Sequence, residues 1–386
     1  MVNKLRGGKE ERRAAILVCL VVLGIMAVAG LWPFHAPLNQ VSWLRGGGLN
    51  FHRNATVWSA GTFPVPSPQQ ETPCSLEIWL QPESTTSART FLAFHTPGTH
   101  FRFLLRQLNR DLILEAATGE QLSGSQGAVI GNAFEGGRPV FLTITAGTHL
   151  DAYWNGVRAT PFQQFGVSTA NLAGELILGT DPEDASNWSG QMKGLAFYRR
   201  EFSPAEVAQH YERWMAGAPE VDRQTIALYR FREGAGDAVH NEVRGGIDLA
   251  IPVRFRIWDK LFLQRPWDEF RPGYIGYWRD VTINIVGFMP FGFAFYAWFG
   301  MAQMFRKRAG VTILCGTLVS LTIEVSQYFL PTRNSGMTDL VTNTLGTALG
   351  VLVYRIEPVR ALYHWALGLM ANGWRYAVGS GRASGY

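Results

Sequence analysis

Near the C-terminus, three apolar stretches each carry a carboxylate followed, three or four residues later, by a side-chain amide. The pairs are Asp280 and Asn284, Glu324 and Gln327, and Asp339 and Asn343. In a helix those spacings put both members of a pair on one face. The surrounding sequences, VTINIVGFMPFGFAFYAWFG and AGVTILCGTLVSLTIEVSQYFL among them, are otherwise apolar enough to span a bilayer. A central acidic residue costs about 2.5–3.5 kcal/mol to insert, so three acids facing lipid would oppose insertion. They are expected instead to face one another, a wet cavity, a bound cation or Arg333. Two acids can share general acid and base work, and several could hold a hard cation through oxygen. Amides can equally link helices by hydrogen bonds, and Gly346-x-x-x-Gly350 permits close packing. No Ser–His pair, HExxH or phosphate loop names a reaction, so no catalytic residue is assigned.

The elements that must position these groups are apolar runs separated by basic clusters. Mean hydropathy is only +0.01 because a polar middle lies between apolar ends. The net charge of +5 is unevenly spread: Lys4, Arg6, Lys9, Arg12 and Arg13 precede the first run, about Ala14 to Trp32, and Arg306, Lys307 and Arg308 follow the second. Arg355 and Arg360 follow the fourth. That distribution reads as membrane orientation under the positive-inside rule, not as nucleic-acid binding. With the N-terminus inside, residues from about 48 to 256 lie outside, and spans follow near 281–302, 310–330 and 338–354. The RKR loop is then inside and PTRNSGMTD outside. Glu324 falls six positions before Leu330, about 9 Å below the exit at ~1.5 Å per residue. Trp258, Trp267, Tyr274, Tyr277 and Trp278 read as an aromatic belt at the outer interface. Residues 361–376 suggest an interfacial helix, followed by a flexible Gly/Ser tail from Gly379.

The middle segment is β-like, with runs such as CSLEIWLQP, TFLAFHT, VFLTITAG and GELILGT separated by Gly, Pro, Asn and Asp. Frequent short strands with turn signals predict a sandwich or jelly roll. Asn155-Gly156 is a tight hairpin signal. Ser203, Pro204 and Glu206 predict a capped helix running to about Met215. Three cysteines, Cys19, Cys74 and Cys315, leave no disulfide within the middle segment and no metal-type pair. Asp181, Glu183 and Asp184 form an acidic turn that could ligate Ca²⁺, though one short loop rarely supplies six oxygens. Trp154 and Trp188 are candidates for stacking on sugars, with core packing the alternative. His95, His100 and His149 show no ligand spacing, and Asn54 and Asn187 stand in glycosylation sequons.

The stretch LILGTDPEDASNWSGQMKGLAFYRREFSPAEVAQHYERW resembles the closing part of laminin-G-like, concanavalin-type jelly rolls, and GLNFHRNATV and LDAYWNGVRA resemble earlier strands. IALYRFREGAGDAVHNEVRGGIDLAIP resembles the opening of such a domain yet comes last, implying a strand that returns to complete the sandwich. The laminarinase type of this fold uses an E-x-D-x-x-E strand. Here Glu220-Val221-Asp222 is followed by Thr225, so hydrolysis is not implied.

The membrane part resembles the VanZ-like family, named after a teicoplanin-resistance protein. Asp280, Asn284, Phe288, Pro290, Gly292, Glu324, Gln327, Arg333, Asp339, Asn343, Gly346 and Gly350 carry that likeness, and LWPFHAP resembles the end of the family's first helix. The implied fold is multi-domain: an all-β jelly-roll sandwich inserted into an α-helical, four-helix transmembrane unit, whose first helix is therefore expected to stay uncleaved. Expected boundaries are 1–47 for the basic start and first helix, 48–256 for the extracytoplasmic jelly roll, 257–360 for the VanZ-like helices and 361–386 for the interfacial helix and tail. The leading functional expectation is a non-enzymatic binder of a glycan or other cell-envelope ligand, tethered to the lipid bilayer. The alternatives are an enzyme or carrier acting on a lipid-linked envelope precursor at the acid cluster, and a structural or partner-binding membrane protein.

Overall fold

The computed structural model describes residues 2–97, 101–118, 124–147, 149–159, 166–183, 185–270 and 275–380. The chain divides into two compact units: His35–Asp259, and Met1–Phe34 with Lys260–Tyr386.

The first unit is built from strands β1 (Val41–Trp43), β2 (Leu49–Phe51), β3 (Val57–Ser59), β4 (Cys74–Pro82), β5 (Ala88–His95) and β6 (Phe103–Leu108). They are followed by β7 (Asp111–Thr118), β8 (Gly124–Ile130), β9 (Val140–Ala146), β10 (Leu150–Trp154) and β11 (Val157–Arg158). The last are β12 (Glu175–Leu178), β13 (Gly190–Tyr198), β14 (Thr225–Tyr229), β15 (Ala238–Val239) and β16 (Leu249–Ala250). Among the described residues, one sheet runs β1-β2-β13-β4-β9-β10-β11, with β14 also paired to β13, and the other runs β15-β16-β3-β12-β5-β6-β7-β8. Leu76, Ile78 and Leu80 of β4 and Leu142 and Ile144 of β9 join Phe94, Leu105, Leu114 and Leu178 of the other sheet in one buried cluster. That alternation along β4 is the period-2 signature of a strand with its apolar side on a core.

The IALYR segment is β14, and it pairs antiparallel with β13, Leu195 opposite Tyr229. An isolated bridge between Leu38 and Arg254, with the Phe255 N–H on the Pro37 carbonyl at 2.9 Å, ties the unit's first and last segments together. Asn155 and Gly156 adopt φ of 50° and 79°, the left-handed pair that a two-residue hairpin turn between β10 and β11 demands.

Helix α1 (Val2–Leu31) belongs to the other unit, and α2 (Pro204–Met215) covers the outer face of the β13-bearing sheet. Ser203 caps α2: its hydroxyl accepts the Glu206 N–H while the Glu206 carboxylate accepts the Ser203 N–H at 2.8 Å. Val207 and Trp214 of α2 pack with Phe141, Tyr153 and Tyr198, so β9 and β13 are buried on both faces. Thr143 and Thr145, which alternate with the core-facing Leu142 and Ile144, are therefore buried as well.

The helical unit adds α3 (Pro266–Glu269), α4 (Ile275–Ala302), α5 (Arg308–Tyr328), α6 (Met337–Arg355) and α7 (Glu357–Ser380). Among the described residues three helical segments are long and apolar enough to cross a membrane: Lys9–Leu31, Gly276–Ala302 and Arg308–Tyr328. Helix α6 lies against α4 through glycines. A Cβ on Gly346 would stand 2.2 Å from the Ile285 carbonyl oxygen, and one on Gly350 would stand 2.1 Å from that of Met289. Gly292 of α4 meets the Thr347 carbonyl in the same way, at 2.0 Å. Only residues without a side chain allow such backbone approach. The interfacial segment anticipated at 361–376 falls within α7, which carries an exposed Trp365. The end of the anticipated tail, 381–386, lies outside the described residues.

Candidate functional site

In the helical unit the polar residues make cross-element bonds. Asn284 Nδ2 donates to Asp339 Oδ1 at 2.7 Å, linking α4 to the first turn of α6. Asn343 Nδ2 donates to Ser320 Oγ at 3.0 Å, linking α6 to α5, and the hydroxyls of Thr317 and Thr344 meet at 3.0 Å one turn away. Gln327 Nε2 donates to the Gly30 carbonyl at 2.8 Å, which ties α5 to the end of α1. Glu324 is buried, and its Oε2 accepts the N–H of Gly336, the N-cap residue of α6, at 2.9 Å. A carboxylate there satisfies an orphan donor and complements the positive end of the helix.

Of the partners open to the acids, Arg333 bonds elsewhere. Arg333 Nε and Nη2 both donate to the Trp32 carbonyl, at 3.1 and 2.7 Å, while Glu324 takes the backbone amide of Gly336. Asp280 is the outlier of the cluster: its side chain is 63% exposed beside Arg279, although it lines a hollow of about 160 Å³ with Tyr277, Thr338 and Asp339. Asp280 and Asn284 share a face as their spacing requires, but Asn284 turns to Asp339.

Sequence reading missed Lys260. Its Nζ donates to the carbonyls of Tyr328, at 2.6 Å, and Leu330. A lysine on the last carbonyls of a helix satisfies acceptors that have no intrahelical partner. Burial pulls its pKa below the usual lysine value. No spacing rule could have found it, because it lies about seventy residues from its acceptors.

In the β unit the tryptophans and the acidic turn are engaged with the fold. Trp188 is fully buried: its ring packs on Phe51 and Phe91 and its Nε1 donates to Gln107 Oε1 at 2.8 Å, so no face remains for a sugar. Trp154 is half-buried against the same core. The acidic turn does not present free oxygens at Asp181. Its Oδ2 accepts from Thr90 Oγ1 at 3.0 Å and Arg106 Nη2 at 3.2 Å, and its Oδ1 accepts the Glu183 N–H at 3.1 Å. Asp184 lies outside the described residues, and among those described no group of three or more His, Cys, Asp or Glu could hold a metal.

Trp258 is no belt residue, since it packs on Trp58 at 4.6 Å and donates to Glu175. Trp267 and Trp278 are exposed, and Tyr274 lies outside the described residues. His95 is buried, with Nε2 3.0 Å from Asp259 Oδ2, and His149 is exposed. Asn187 is occupied by the Asn54 N–H and the Ala55 carbonyl.

A second buried acid went unnoticed in sequence. Glu77 of β4 points away from the sandwich core and lies under α2. Its Oε2 accepts from Tyr198 OH and Trp214 Nε1, both at 2.8 Å, and its Oε1 stands 3.1 Å from His210 Nδ1. Burial, then the Glu77 charge, pushes the Tyr198 phenol well above its ordinary pKa. The arrangement fixes α2 on the sheet.

A VanZ/LLP1 family model matches residues 226–358, and a model of the concanavalin A-like lectin/glucanases superfamily matches residues 59–208. The chain carries a VanZ/LLP1 region and a concanavalin A-like domain. Protein VanZ of Enterococcus faecium is 33% identical over 82 residues, 21% of this chain and 48% of that protein, so the chain spans about half the length of the curated relative it matches. Among solved structures, a SAP-like pentraxin of Limulus polyphemus aligns at 12% identity with a TM-score of 0.35, covering 55% of this chain and 93% of that one. The binding domain of botulinum neurotoxin serotype D aligns at 12% identity with a TM-score of 0.34, covering 45% of each. The protein is thus a membrane protein with a VanZ region and a β-sandwich of the concanavalin A-like kind.

Proposed function

We propose that this chain is a multi-pass protein of the cell membrane that displays its β-sandwich outside the cytoplasm to bind a glycan of the envelope. The observation that carries the reading is the pairing of membrane-length helices with a domain matched by a superfamily of lectins and glucanases. On this reading α1, α4, α5 and α6 form a four-helix unit, and the sandwich is inserted between the first and second of these helices. Binding is favoured over hydrolysis because the E-x-D-x-x-E pattern of the hydrolytic type fails at Thr225. The basic clusters support an orientation with Arg306 to Arg308 inside and Arg333 outside. Two measurements test the proposal. Cysteine probes labelled from outside should react at position 334 and not at 307, and the reverse would overturn the orientation. Full-length protein in detergent should retain glycans on an array, and an array with no retained glycan would overturn the binding function.

A specific observation favours a structural role for the intramembrane polar residues. Asn284, Asn343, Gln327 and Glu324 each bond a group on a different helix or on its cap, which is what interhelical fastening requires. Such bonds are worth about 0.6–2 kcal/mol each within membranes. Were they instead a site for a lipid-linked precursor, Glu324→Gln would abolish function at unchanged stability. Loss of both together fits fastening.

A further inference from the structure

Beside the C-terminal end of α2, the outer face of the β13-bearing sheet opens into a cleft of about 340 Å³. Its lining includes Arg45, Lys193, Arg230 and Arg232, together with Trp79 and Trp214, and no acidic residue. An adjoining hollow of about 430 Å³ shares Arg45 and Arg232 and adds Trp43. Both volumes fall in the range of small-ligand sites, about 300–1,000 Å³.

The charges in this cleft are poorly compensated. Arg230 is neutralised by Glu242, with two bonds at 2.7 and 2.5 Å. Arg232 donates only to the neutral Gly217 carbonyl, at 2.7 Å. Lys193 lies over the Trp79 ring, its Nζ 5.4 Å from the centroid. Among the described residues neither Lys193 nor Arg45 has a carboxylate partner. The acids nearest in sequence are engaged elsewhere, Glu220 with Arg213 at 2.6 Å and Glu233 with the His240 N–H at 2.7 Å.

The cleft's shape is built in. Arg45 heads a turn whose next three residues, Gly46, Gly47 and Gly48, have φ of 93°, 98° and 114°, which side chains rarely adopt. The Gly48 N–H is anchored on the Phe231 carbonyl at 2.7 Å, which ties this turn to the strand end that carries Arg230 and Arg232. Trp214 lies so close to Gly194 that a Cβ there would stand 2.2 Å from its ring, so the floor is fixed as well.

We propose that this cleft is a binding site for an acidic polysaccharide, whose carboxylate or phosphate groups meet Arg45, Lys193 and Arg232 while a sugar ring lies along Trp79. The proposal rests on the glycan-binding reading and narrows it to one face and one charge class. Aromatic floors with cationic rims suit such ligands, because the ring supplies apolar contact and guanidinium forks grip oxyanions. No acid pair or metal is needed, so the site differs in kind from the acidic turn at Asp181.

The test uses full-length protein in zwitterionic nanodiscs and fluorescent hexamers: a uronate oligosaccharide, a glycerol phosphate oligomer and neutral chitohexaose. An oligonucleotide of equal charge serves as competitor. At least one acidic hexamer should bind with an affinity that falls as salt rises, and the two acidic arms decide between carboxylate and phosphate. Arg45→Glu with Lys193→Glu should weaken it by roughly tenfold or more for each lost cation, since bonds to charged groups are worth about 1.5–3 kcal/mol. Among the described residues neither side chain is in an ion pair, and an unchanged melting curve would confirm that the variant folds. Binding of chitohexaose alone, or acidic binding unaffected by the double change, would overturn this site while leaving the glycan reading intact. Displacement of the acidic hexamer at lower concentration by the oligonucleotide would also overturn it. No binding by any hexamer would remove both.

Discussion

Glu77 should be the fastening point of α2, and Glu77→Gln tests this directly. The carboxylate accepts from Tyr198 OH and Trp214 Nε1 at 2.8 Å through one oxygen, and its other oxygen faces His210 Nδ1 at 3.1 Å. A glutamine keeps one acceptor oxygen for Tyr198 OH and Trp214 Nε1 but carries no charge, so neither bond stays charge-assisted. At least one charge-assisted bond is lost, worth about 1.5–3 kcal/mol. At 1.36 kcal/mol per decade this is an increase of about 10- to 150-fold in the population of an opened α2. Glu77→Leu strands the two buried donors, Tyr198 OH and Trp214 Nε1, and should cost more, about 1–3 kcal/mol for each group left unsatisfied. The assay is amide hydrogen exchange on the full chain in detergent, read at residues 207–214. Tyr198→Phe removes a donor without stranding one on the ring and should give a smaller loss. If protection of α2 in Glu77→Gln matched the parent, the apolar contacts of Val207 and Trp214 alone would hold the helix, and the fastening argument would fall.

Three further outcomes follow from named contacts. Gly350→Val should part α4 from α6, because its Cβ would sit 2.1 Å from the Met289 carbonyl oxygen; overpacking of about 1–3 kcal/mol should appear as unfolding at lower SDS, whereas Gly368→Ala, with open space around it, should not. The Ser203 N–H, followed by Arg200, holds the Glu206 carboxyl down to about 2 against an ordinary value of 4.5. Its folded pKa is depressed, so its contribution to α2 is complete above about pH 4.5 and is lost as pH falls toward 2; Glu206→Gln should remove that slope from the acid melting profile. Finally, Glu324→Gln and Arg333→Ala should have additive effects within about 0.5 kcal/mol in a double-mutant cycle in detergent, since they bond Gly336 and Trp32 respectively; a larger coupling would show that the two residues meet.

Local chemistry was readable wherever the partners were near in sequence. The Ser203–Glu206 capping box, the Asn155-Gly156 turn and the long apolar helices α4 and α5 all rest on patterns spanning fewer than thirty residues. Partner choice was not readable across helices. The 3.6-residue period sets Asp280 and Asn284 on one face, but nothing in that period says that Asn284 takes Asp339 while Asp280 stays with Arg279. Arg333 is one of several partners that sequence leaves open to Glu324, and no charge pattern says that a backbone amide at a helix start is the group it takes. Trp188 shows the same limit in the β unit: a tryptophan flanked by Ser, Asn and Gly reads as loop and surface, and only the fold brings Phe51, Phe91 and Gln107 around it. The basic cleft draws on residues 45, 193, 230 and 232, so no window of sequence contains it.

Helix α6 joins these observations into one physical argument. It is not among the segments apolar enough to span by composition, because Thr338, Thr342, Asn343, Thr344 and Thr347 occupy its length. Lipid would not tolerate those groups unpaired. Thr342, Thr344 and Thr347 each return a hydroxyl to a backbone carbonyl of their own helix, at 2.8–3.0 Å. Asn343 reaches Ser320, and Thr344 also meets Thr317. Gly346 and Gly350 then bring its backbone onto that of α4, so its least apolar face is the one withdrawn from the surroundings. A helix whose hydroxyls are satisfied in this way need not be apolar overall to lie in a membrane. The polarity that lowers its hydropathy is the same polarity that fixes its neighbours, which is why a change at Asn343 or Gly350 should disturb assembly of the helical unit before it disturbs the β-sandwich.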